Sequence, residues 1–551
     1  MKRAARNHGH DSIVDRVATW GLDTLPAVAA VACLVLIAAW LPLYLTWPIN
    51  RDDDAFATLA MGWDLGVRPY RDARAYNFPG HTYLFWVLGR LFGWERITVP
   101  YLAIDAAGTV ALVMGLACWG RRRLGGALPG LVAALAVLRL SCNHMYGQAA
   151  QRDGHVGLLV ALGLILIQTR PGRATRLGSA GLAAIALAIR PQVILFLPAV
   201  LAAIDAESLS EGQSGRVRIV RVGAWVGAFA LGAALAFAPI WANGLAGDFL
   251  RSIRLAAPGG PYSKATPAMA WKTLVGEIGD PRIALPLGLT LLISVVGPAD
   301  LRRTARPWVV AGLGALAYAP ISPVAHAYLM QPLNLISSVA IAFLAACVVA
   351  ARSIPNRVRL VTLVLLAYEA IGGSVPEFCS VEAGSAAAVD LLLGRTSAMP
   401  PEGLRQDFYV DGPGVSESWR DHAALIAYLR ERTGPTTPVA NLLNRFPYEP
   451  INAASGRPSP LRSESGVCWL MWVAVDLDSE FADAVDGPEA DTVVVWEPDQ
   501  SRRDLRINIP RTCEAVRRLY RPEAKFGRIE VWRRSVITSN KADYQSISGN
   551  G

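Results

Sequence analysis

The chain reads TLPAVAAVACLVLIAAWLPLYLTWPIN from Thr24 to Asn50, and the three acids Asp52-Asp53-Asp54 follow almost directly. The apolar stretch carries no charge and is long enough to cross a bilayer as a helix, which takes about 20 residues. Three adjacent carboxylates beside hydrocarbon repel each other and lose solvation energy. Their position therefore indicates a functional site at the boundary of the membrane.

The composition indicates a membrane protein with several spans. The chain has 551 residues, of which 53% are hydrophobic and only 18% are charged, and its mean hydropathy is +0.32. A soluble protein of this length is less apolar. The formal net charge is +9, but Lys and Arg concentrate in short links between apolar runs. We interpret them as topology signals and not as a surface for nucleic acid.

The apolar runs are predicted to be helices, because they are apolar on all sides and do not alternate as the strands of a barrel would. They lie approximately at 25–47, 99–119, 125–141, 155–169, 177–190, 191–205, 222–241, 283–298, 308–321, 329–350 and 358–375. The fold class expected is thus an α-helical polytopic membrane protein with about eleven transmembrane helices. The two runs on either side of Arg190-Pro191 form either two spans or one kinked unit.

The distribution of arginine predicts the orientation of the chain. With the N-terminus inside, every inner link is short and rich in arginine, as the positive-inside rule expects. Eleven spans then place the C-terminus outside. We predict a transmembrane module over 1–375, with its first outer loop at 48–98, and a soluble outer domain over 376–551.

The predicted outer domain is polar and carries signals for both helices and strands. Ser416–Arg432 has the pattern of an amphipathic helix, with Leu425, Tyr428 and Leu429 on one face. Thr492–Trp496 and Arg528–Trp532 have the pattern of short strands. A small α/β domain follows from these elements.

The three acids after the first span allow two interpretations. An Asp before the amphipathic stretch 56–63 can cap a helix by accepting a backbone N–H and by facing the positive helix end. Alternatively, Asp52 and Asp53 act as a general base, a metal ligand, or both. One acid is enough to cap a helix, and three are present. This excess favours the second interpretation, in which the acids form a functional site.

Two further polar groups lie on the predicted outer side. Gln151-Arg152-Asp153-Gly154-His155 stands at the mouth of the fourth predicted span, where Arg152 and Asp153 are either a site or an interfacial pair that marks the start of a helix. Arg190-Pro191 lies between two apolar runs. A buried arginine needs an anion, and a broken helix can receive a phosphate; the alternative is an arginine that snorkels to the surface.

Weaker candidates complete the set. His326 and Tyr328 lie in the short outer link before the tenth predicted span, and Asp72 lies in the first outer loop. A lone histidine in such a link is more often a structural hydrogen-bonding group than a ligand. The sequence contains neither the phosphate-binding GxxxxGK[ST] motif nor the HExxH motif of zinc proteases, and no GxSxG motif occurs in the tail.

Together these motifs resemble the GT-C superfamily of integral membrane glycosyltransferases. The acid pair after the first span, the segment Gly66–Asp72 with the pattern Gly-x-x-Pro-Tyr-Arg-Asp, and Pro79-Gly80 before an aromatic-rich helix carry the resemblance. Within this superfamily, the sequence is similar to the branch of polyprenyl-phosphate-sugar-dependent transferases, such as the protein O-mannosyltransferases and the lipid A aminoarabinose transferases. Asp54 departs from the pattern, because the family often has a small residue at that place.

The resemblance implies an enzyme that moves a sugar from a polyprenyl-phosphate donor to an extracytoplasmic acceptor hydroxyl, with inversion. The acceptor is a glycan, a lipid or a protein of the cell envelope. Asp52, Asp53 and Asp153 are then catalytic candidates, Arg152 and Arg190 bind the donor phosphate, and His155, His326, Tyr328 and Asp72 line the site. A divalent cation, Mg²⁺ or Mn²⁺, is a candidate cofactor, with Asp53 and Asp153 as its ligands.

The expected location is the cytoplasmic (inner) membrane of a bacterium, with the N-terminus in the cytoplasm and the C-terminal domain outside. A transporter or flippase of an envelope lipid or sugar is the main alternative from another functional class. Against it, the two halves of the chain show no internal repeat, which many transporters have. The large first loop and the outer tail also have no obvious use in transport.

Overall fold

The computed structural model describes residues 13–47, 49–73, 75–143, 149–256, 267–318, 320–321, 327–372, 381–393, 419–443, 451–461, 477–487, 493–496, 509–527 and 529–535. Within these ranges the first 372 residues are helical, apart from links and short turns. The helices are α1 (Ile13–Leu45), α2 (Arg51–Asp64), α3 (Gly80–Phe92), α4 (Thr98–Arg123), α5 (Ala127–Cys142), α6 (Arg152–Thr169), α7 (Arg173–Ile189), α8 (Leu197–Ser210), α9 (Gly215–Ala242), α10 (Ala246–Ala256), α11 (Pro267–Ile278), α12 (Pro281–Val296), α13 (Ala299–Tyr318), α14 (Gln331–Ala350) and α15 (Asn356–Ile371). Short 3-10 turns lie at Trp94–Arg96, Pro191–Phe196 and Ala327–Met330.

The chain is a multi-pass membrane protein. In the described ranges, six segments are long and apolar enough to cross a bilayer: Arg16–Leu45, Thr98–Arg123, Arg152–Thr169, Pro191–Ser210, Gly215–Ala242 and Gln331–Ala350. Two shorter helices, α5 and α12, are also apolar. A helix lies at each of the eleven predicted positions, and the number of helices that cross the bilayer stays a prediction.

The predicted interruption at Arg190-Pro191 is present. Helix α7 ends at Ile189, and Arg190 has the extended backbone angles φ −148° and ψ 128°. A residue before proline is pushed out of the helical region by the proline ring. Pro191 then begins a 3-10 turn that leads into α8. Arg190 therefore sits at a break between two helices.

Helices α4 and α5 approach each other closely through glycine. A Cβ atom built on Gly130 would lie 2.0 Å from the carbonyl oxygen of Leu116, so only glycine fits at this crossing. Beside this contact, the rings of Trp119, Trp308 and Phe343 pack together in the main core. This core holds α6 between α4, α7 and α14, and thus fixes the direction in which the first residues of α6 point.

The tail forms a small α/β unit, as predicted. Helix α16 (Val381–Leu392) precedes this unit along the chain. The unit itself consists of α17 (Trp419–Arg432), β1 (Val439–Asn441), α18 (Asn452–Ser455), α19 (Leu477–Asp486), β2 (Val493–Trp496), α20 (Pro510–Leu519), β3 (Tyr520–Phe526) and β4 (Ile529–Arg534). The described strands form a sheet in the order β1-β2-β4-β3. Strand β1 is parallel to β2, and the other two pairs are antiparallel.

The predicted tail helix and both predicted strands are confirmed. Leu425 and Leu429 of α17 are fully buried, as expected of one apolar face. Strands β2 and β4 pair with each other. Helix α16 lies in the segment assigned to the outer domain and packs against α1.

Candidate active site

The three acids occupy the first turn of α2. Asn50 precedes the helix and caps it, because its side-chain oxygen accepts the backbone N–H of Asp53 at 3.0 Å. The acids therefore lie just inside the helix, where the positive end of the helix dipole stabilises negative charge. The interpretation that an aspartate caps this helix is wrong, since Asn50 performs that role.

The three carboxylates have different surroundings. Successive residues of a helix point about 100° apart, and each acid faces a different neighbour. The Asp52 side chain is 33% exposed, whereas Asp53 is fully buried. Asp54 is also buried and accepts the backbone N–H of Ala453 in α18 at 2.7 Å. Asp54 thus attaches the tail to the first loop, and Asp52 is the acid that remains accessible.

Asp53 is held by hydrogen bonds from two sides. Asn50 donates to one carboxylate oxygen at 2.5 Å, and the Tyr101 hydroxyl donates to the other at 2.8 Å. Burial raises the pKa of Asp53 well above its usual range, against the opposing effect of the Tyr101 hydrogen bond. Asp53 is therefore a positioned group that has no open path to a substrate.

A chain of polar groups connects Asp53 to Asp105. His81 Nδ1 lies 3.6 Å from Asp53 Oδ1, His81 Nε2 lies 2.9 Å from His155 Nδ1, and His155 Nε2 lies 2.8 Å from Asp105 Oδ1. With neutral rings, His155 donates to Asp105 and accepts from His81. Burial lowers the pKa of His81 well below its usual value, and the positive charges of Arg152 and Arg190 act in the same direction. The neutral form of His81 is thus favoured.

Arg152 brings a buried positive charge next to the accessible acid. Its guanidinium lies over the Phe56 ring, 4.5 Å from the ring centroid, and its Nη2 lies 3.9 Å from Asp52 Oδ2. Nη1 donates to the side chain of Asn77, while Nε is buried and has no hydrogen-bond partner in the described part of the chain. A desolvated guanidinium with donors to spare is well suited to a phosphate or a carboxylate.

Asp153 and Arg190 form a buried ion pair. Arg190 Nη2 lies 2.9 Å from Asp153 Oδ2, and the Tyr318 hydroxyl donates to Asp153 Oδ1 at 2.6 Å. The Asp153 side chain is fully buried, and that of Arg190 is 9% exposed. The pair joins the start of α6 to the break between α7 and α8, beside the end of α13.

Glycine brings α3 close to this break. A Cβ atom built on Gly80 would lie 2.8 Å from the carbonyl carbon and oxygen of Ala188. Glycine therefore allows the start of α3 to touch the last turn of α7. This contact sets His81 against His155 and near the arginines of the site.

Solved structures that share this fold include two of the protein ArnT. The crystal structure of ArnT from Cupriavidus metallidurans bound to undecaprenyl phosphate has a TM-score of 0.56 and 14% sequence identity, over 93% of this chain and 98% of that one. The same protein in the apo state has a TM-score of 0.51 and 16% identity, over 94% of this chain and 98% of that one. The chain has the fold of ArnT.

The predicted fold class, a helical membrane protein with a small C-terminal α/β unit, is therefore confirmed. No model of a known protein family matches the chain, and no curated protein matches it by sequence. At 14% and 16% identity the likeness to ArnT concerns the fold.

Most of the predicted site residues meet within the ArnT fold. The structure joins Asp52 to Arg152 and Asp153 to Arg190, and it places His155 next to Asp53 through His81. Asp52 and Asp153 therefore belong to one region, at the starts of α2 and α6.

Three weaker candidates have other outcomes. Asp72 does not join the cluster: it forms an ion pair with Arg68 at 2.7 Å on the surface, and that hydrogen bond lowers the pKa of Asp72. The backbone of Tyr328 lies in the 3-10 turn before α14. His326 lies outside the described residues.

The contacts of Asp53 and Asp153 do not fit the predicted pair of metal ligands. Tyr101 and Asn50 occupy the two oxygens of Asp53, and Tyr318 and Arg190 occupy those of Asp153. Mg²⁺ needs a near-octahedral set of oxygen ligands. Among the described residues there is no group of three or more His, Cys, Asp or Glu that could hold a metal ion. We derive no step through a metal.

Several residues of the site are not evident from the sequence. Asn50, His81, Tyr101, Asp105 and Tyr318 all contact one of the predicted residues. Asp105 could have been identified from the sequence, because it is an ionisable residue inside an apolar run of membrane length. The other four residue types are common in loops and spans, and no local pattern distinguishes them.

Proposed function

We propose that the chain is a membrane glycosyltransferase that moves a sugar from a polyprenyl-phosphate donor to an acceptor hydroxyl. The ArnT fold and the undecaprenyl phosphate bound in one ArnT structure support this proposal. The enzyme would act at the outer face of a bacterial cytoplasmic membrane, with its N-terminus in the cytoplasm and residues 376–551 outside. The acceptor would be a glycan, a lipid or a protein of the envelope.

One observation carries the proposal: the accessible carboxylate of Asp52 lies 3.9 Å from the buried guanidinium of Arg152. Sugar transfer from a lipid phosphate needs a base for the acceptor hydroxyl and a positive charge for the leaving phosphate. The neighbouring pair supplies both. Arg152 also has a buried Nε that faces no acceptor in the described part of the chain.

The reaction is a single displacement at the anomeric carbon. Asp52 takes the proton of the acceptor hydroxyl, and the acceptor oxygen forms a bond to the anomeric carbon. The bond from that carbon to the phosphate oxygen breaks, and polyprenyl phosphate leaves with the electron pair. The transition state resembles an oxocarbenium ion. Attack opposite to the leaving group inverts the configuration.

Arg152 and Arg190 would stabilise the charge that develops on the leaving phosphate. Arg152 would contact the phosphate directly. Arg190 would add positive charge from its position beside Asp153, whose carboxylate holds the Arg190 guanidinium. Asp53 and Asp153 are then positioning residues, because their oxygens already accept hydrogen bonds within the protein. This division leaves Asp52 as the base.

The test is Asp52→Asn with Asp64→Asn as the matched control. Asp64 is the last residue of the same helix and pairs with Arg90, away from the first turn. With a defined polyprenyl-phosphate sugar, Asp52→Asn should lower kcat by at least about 100-fold, since a general base contributes about 10²–10⁴. Asp64→Asn should retain transfer. Near-normal transfer by Asp52→Asn in folded protein would remove Asp52 as the base.

A second measurement separates the enzyme from the transporter alternative. Transfer of sugar to an acceptor should proceed in detergent, where no sealed compartment exists. A transporter would show no turnover there and would move its substrate only across the membrane of a vesicle. Movement of lipid across vesicles, without any transferred sugar in detergent over a panel of donors, would overturn the proposed function.

A further inference from the structure

A second cavity lies at the opposite end of α6 from the candidate active site. Gln168, near the end of α6, contributes to its wall, and Arg152 begins the helix. At a rise of about 1.5 Å per residue the two positions are about 24 Å apart. The cavity is thus separate from the site that contains Asp52.

The cavity has a volume of about 340 Å³, within the range of about 300–1,000 Å³ that small-molecule sites occupy. The ends of α4, α6 and α8 and the start of α13 form its wall. Four arginines and two acids contribute to the lining: Arg121, Arg122, Arg123, Arg303, Glu207 and Asp300. Positive charge therefore exceeds negative charge at this wall.

The three consecutive arginines keep their charge available to a ligand. Arg122 donates to the backbone carbonyl of Thr169 at 2.9 Å, and Arg123 donates to that of Gln168. These carbonyls orient the guanidinium groups without neutralising them. In the described ranges, no carboxylate lies within ion-pair distance of Arg121, Arg122 or Arg123. Such a group of oriented guanidinium ions is suited to a phosphate.

Glu207 adds a feature of the opposite sign. Its side chain is only 2% exposed and lies in the cavity wall. One oxygen lies 3.4 Å from Arg176, whereas the buried Oε2 has no hydrogen-bond partner in the described part of the chain. A buried carboxylate oxygen without a donor costs free energy. A ligand that brings a donor to this oxygen would recover that free energy.

We propose that this cavity binds a phospholipid headgroup that carries both a phosphate and a primary ammonium. The arginines at the end of α4 take the phosphate, and Glu207 takes the ammonium group. Helices α4, α6 and α8 belong to segments that are long and apolar enough to cross a bilayer, so a cavity at their ends is expected at the depth of the lipid headgroups. The excess of arginine alone is explained by membrane topology, but topology explains neither the cavity nor the buried Glu207 within it.

The experiment measures lipid binding to the purified full-length protein in detergent by native mass spectrometry. The probes are phosphatidylethanolamine, phosphatidylglycerol and phosphatidylcholine with identical acyl chains, together with soluble phosphoethanolamine and inorganic phosphate. Phosphatidylglycerol lacks the ammonium group, and the choline group cannot donate a hydrogen bond. The variants are Glu207→Gln and the double variant Arg122→Gln/Arg123→Gln, with the exposed Arg357→Gln as the matched control.

The parent protein should bind phosphatidylethanolamine about ten-fold more tightly than the other two lipids, which is the scale of one charge-assisted hydrogen bond. Glu207→Gln should abolish this preference while lipid binding persists. The double variant should weaken binding of all three lipids, and Arg357→Gln should bind as the parent does. Equal affinities of the parent for the three lipids would overturn the proposal.

Two further arms identify the source of the headgroup and guard against misfolding. Binding of soluble phosphoethanolamine or phosphate without any preference among the lipids would indicate a soluble ligand and contradict the lipid proposal. In the parent protein, hydrogen exchange of 203–210 and 299–304 should slow on addition of phosphatidylethanolamine. Unchanged exchange in both segments would also overturn the proposal, whatever the variants do. The outcome is independent of the proposed glycosyl transfer.

Discussion

The ion pair between Asp153 and Arg190 provides a test of whether Arg190 serves the reaction or only the fold. Both side chains are buried, with 0% and 9% exposure, and their nearest charged atoms are 2.9 Å apart. Replacing Arg190 by Gln leaves the Asp153 carboxylate with the Tyr318 hydroxyl but without its guanidinium. We therefore expect Arg190→Gln to destabilise the protein strongly.

The size of the effect follows from the burial of the pair. Removal of one partner of a buried ion pair costs about 3–5 kcal/mol, because a charge remains uncompensated in a medium of low dielectric constant. The double variant Arg190→Gln/Asp153→Asn contains no charge at this position and should recover most of that loss. The resulting coupling energy should reach the upper part of the range of about 0.5–3 kcal/mol seen for residues in contact.

Two assays separate the roles. Thermal unfolding in detergent measures the stability of the parent, both single variants and the double variant. Transfer from a polyprenyl-phosphate sugar measures the activity of the same four proteins. If Arg190 stabilises the leaving phosphate, the double variant should regain stability and stay at least about ten-fold slower than the parent, the loss expected for one charged hydrogen bond.

Recovery of both stability and transfer in the double variant would refute the proposed role of Arg190. The ion pair would then hold α6 against the break after α7, and Arg152 alone would face the phosphate. A single variant Arg190→Gln as stable as the parent would contradict the reasoning about burial itself. Asp153→Asn is informative in the same way, since it leaves the buried arginine without its carboxylate.

Three further predictions concern the surroundings of the site. Gly80→Ala places a methyl group 2.8 Å from the backbone of Ala188, so it should lower stability to thermal unfolding by about 1–3 kcal/mol and abolish transfer. The control Gly181→Ala places a methyl group that meets no atom within 4 Å and should behave as the parent does; equal behaviour of the two variants would refute the close contact at Gly80. Burial lowers the pKa of His81 well below its usual value of 6.5, so the unfolded state binds more protons than the folded state at acid pH, and the free energy of unfolding should fall as the pH falls below 6.5. His81→Gln should make this decrease shallower. An unchanged decrease, measured by urea unfolding at a series of pH values, would contradict the assignment. Asp54→Ala removes the acceptor for the backbone N–H of residue 453, a charge-assisted bond worth about 1.5–3 kcal/mol, so limited proteolysis should cut the tail at least about ten-fold faster; an unchanged rate would mean that other contacts hold it.

The parts of the fold that sequence could predict are those that depend on local pattern. Apolar runs predicted helices at eleven positions, and each position contains a helix. The proline after Arg190 predicted the break. In the tail, one amphipathic helix and the two predicted strands are present. Composition and periodicity suffice for such elements, because they depend on which face of a segment meets an apolar environment.

The contacts of the site could not be predicted in the same way. Asp53 receives its hydrogen bond from Tyr101, which is 48 residues away, and Asp54 binds residue 453, which is 399 residues away. Such pairs depend on how helices are rotated and how the chain returns, and no local pattern encodes that. For the same reason Asp53 and Asp153 were predicted as metal ligands, although their oxygens have protein partners.

The rotation of α2 explains why one acid of the triplet suits catalysis and its neighbours do not. A general base must reach the substrate, and the step of about 100° between successive residues turns only one of the three towards the open side. Asp53 points into the core and Asp54 towards the tail, where each is engaged. Asp52 points towards Arg152 and keeps a third of its side chain exposed. The two engaged acids also fix the rotation, because either one would lose its partner if the helix turned. Asp53 and Asp54 therefore aim Asp52, and their substitution should impair transfer by misplacing the base and not by removing it.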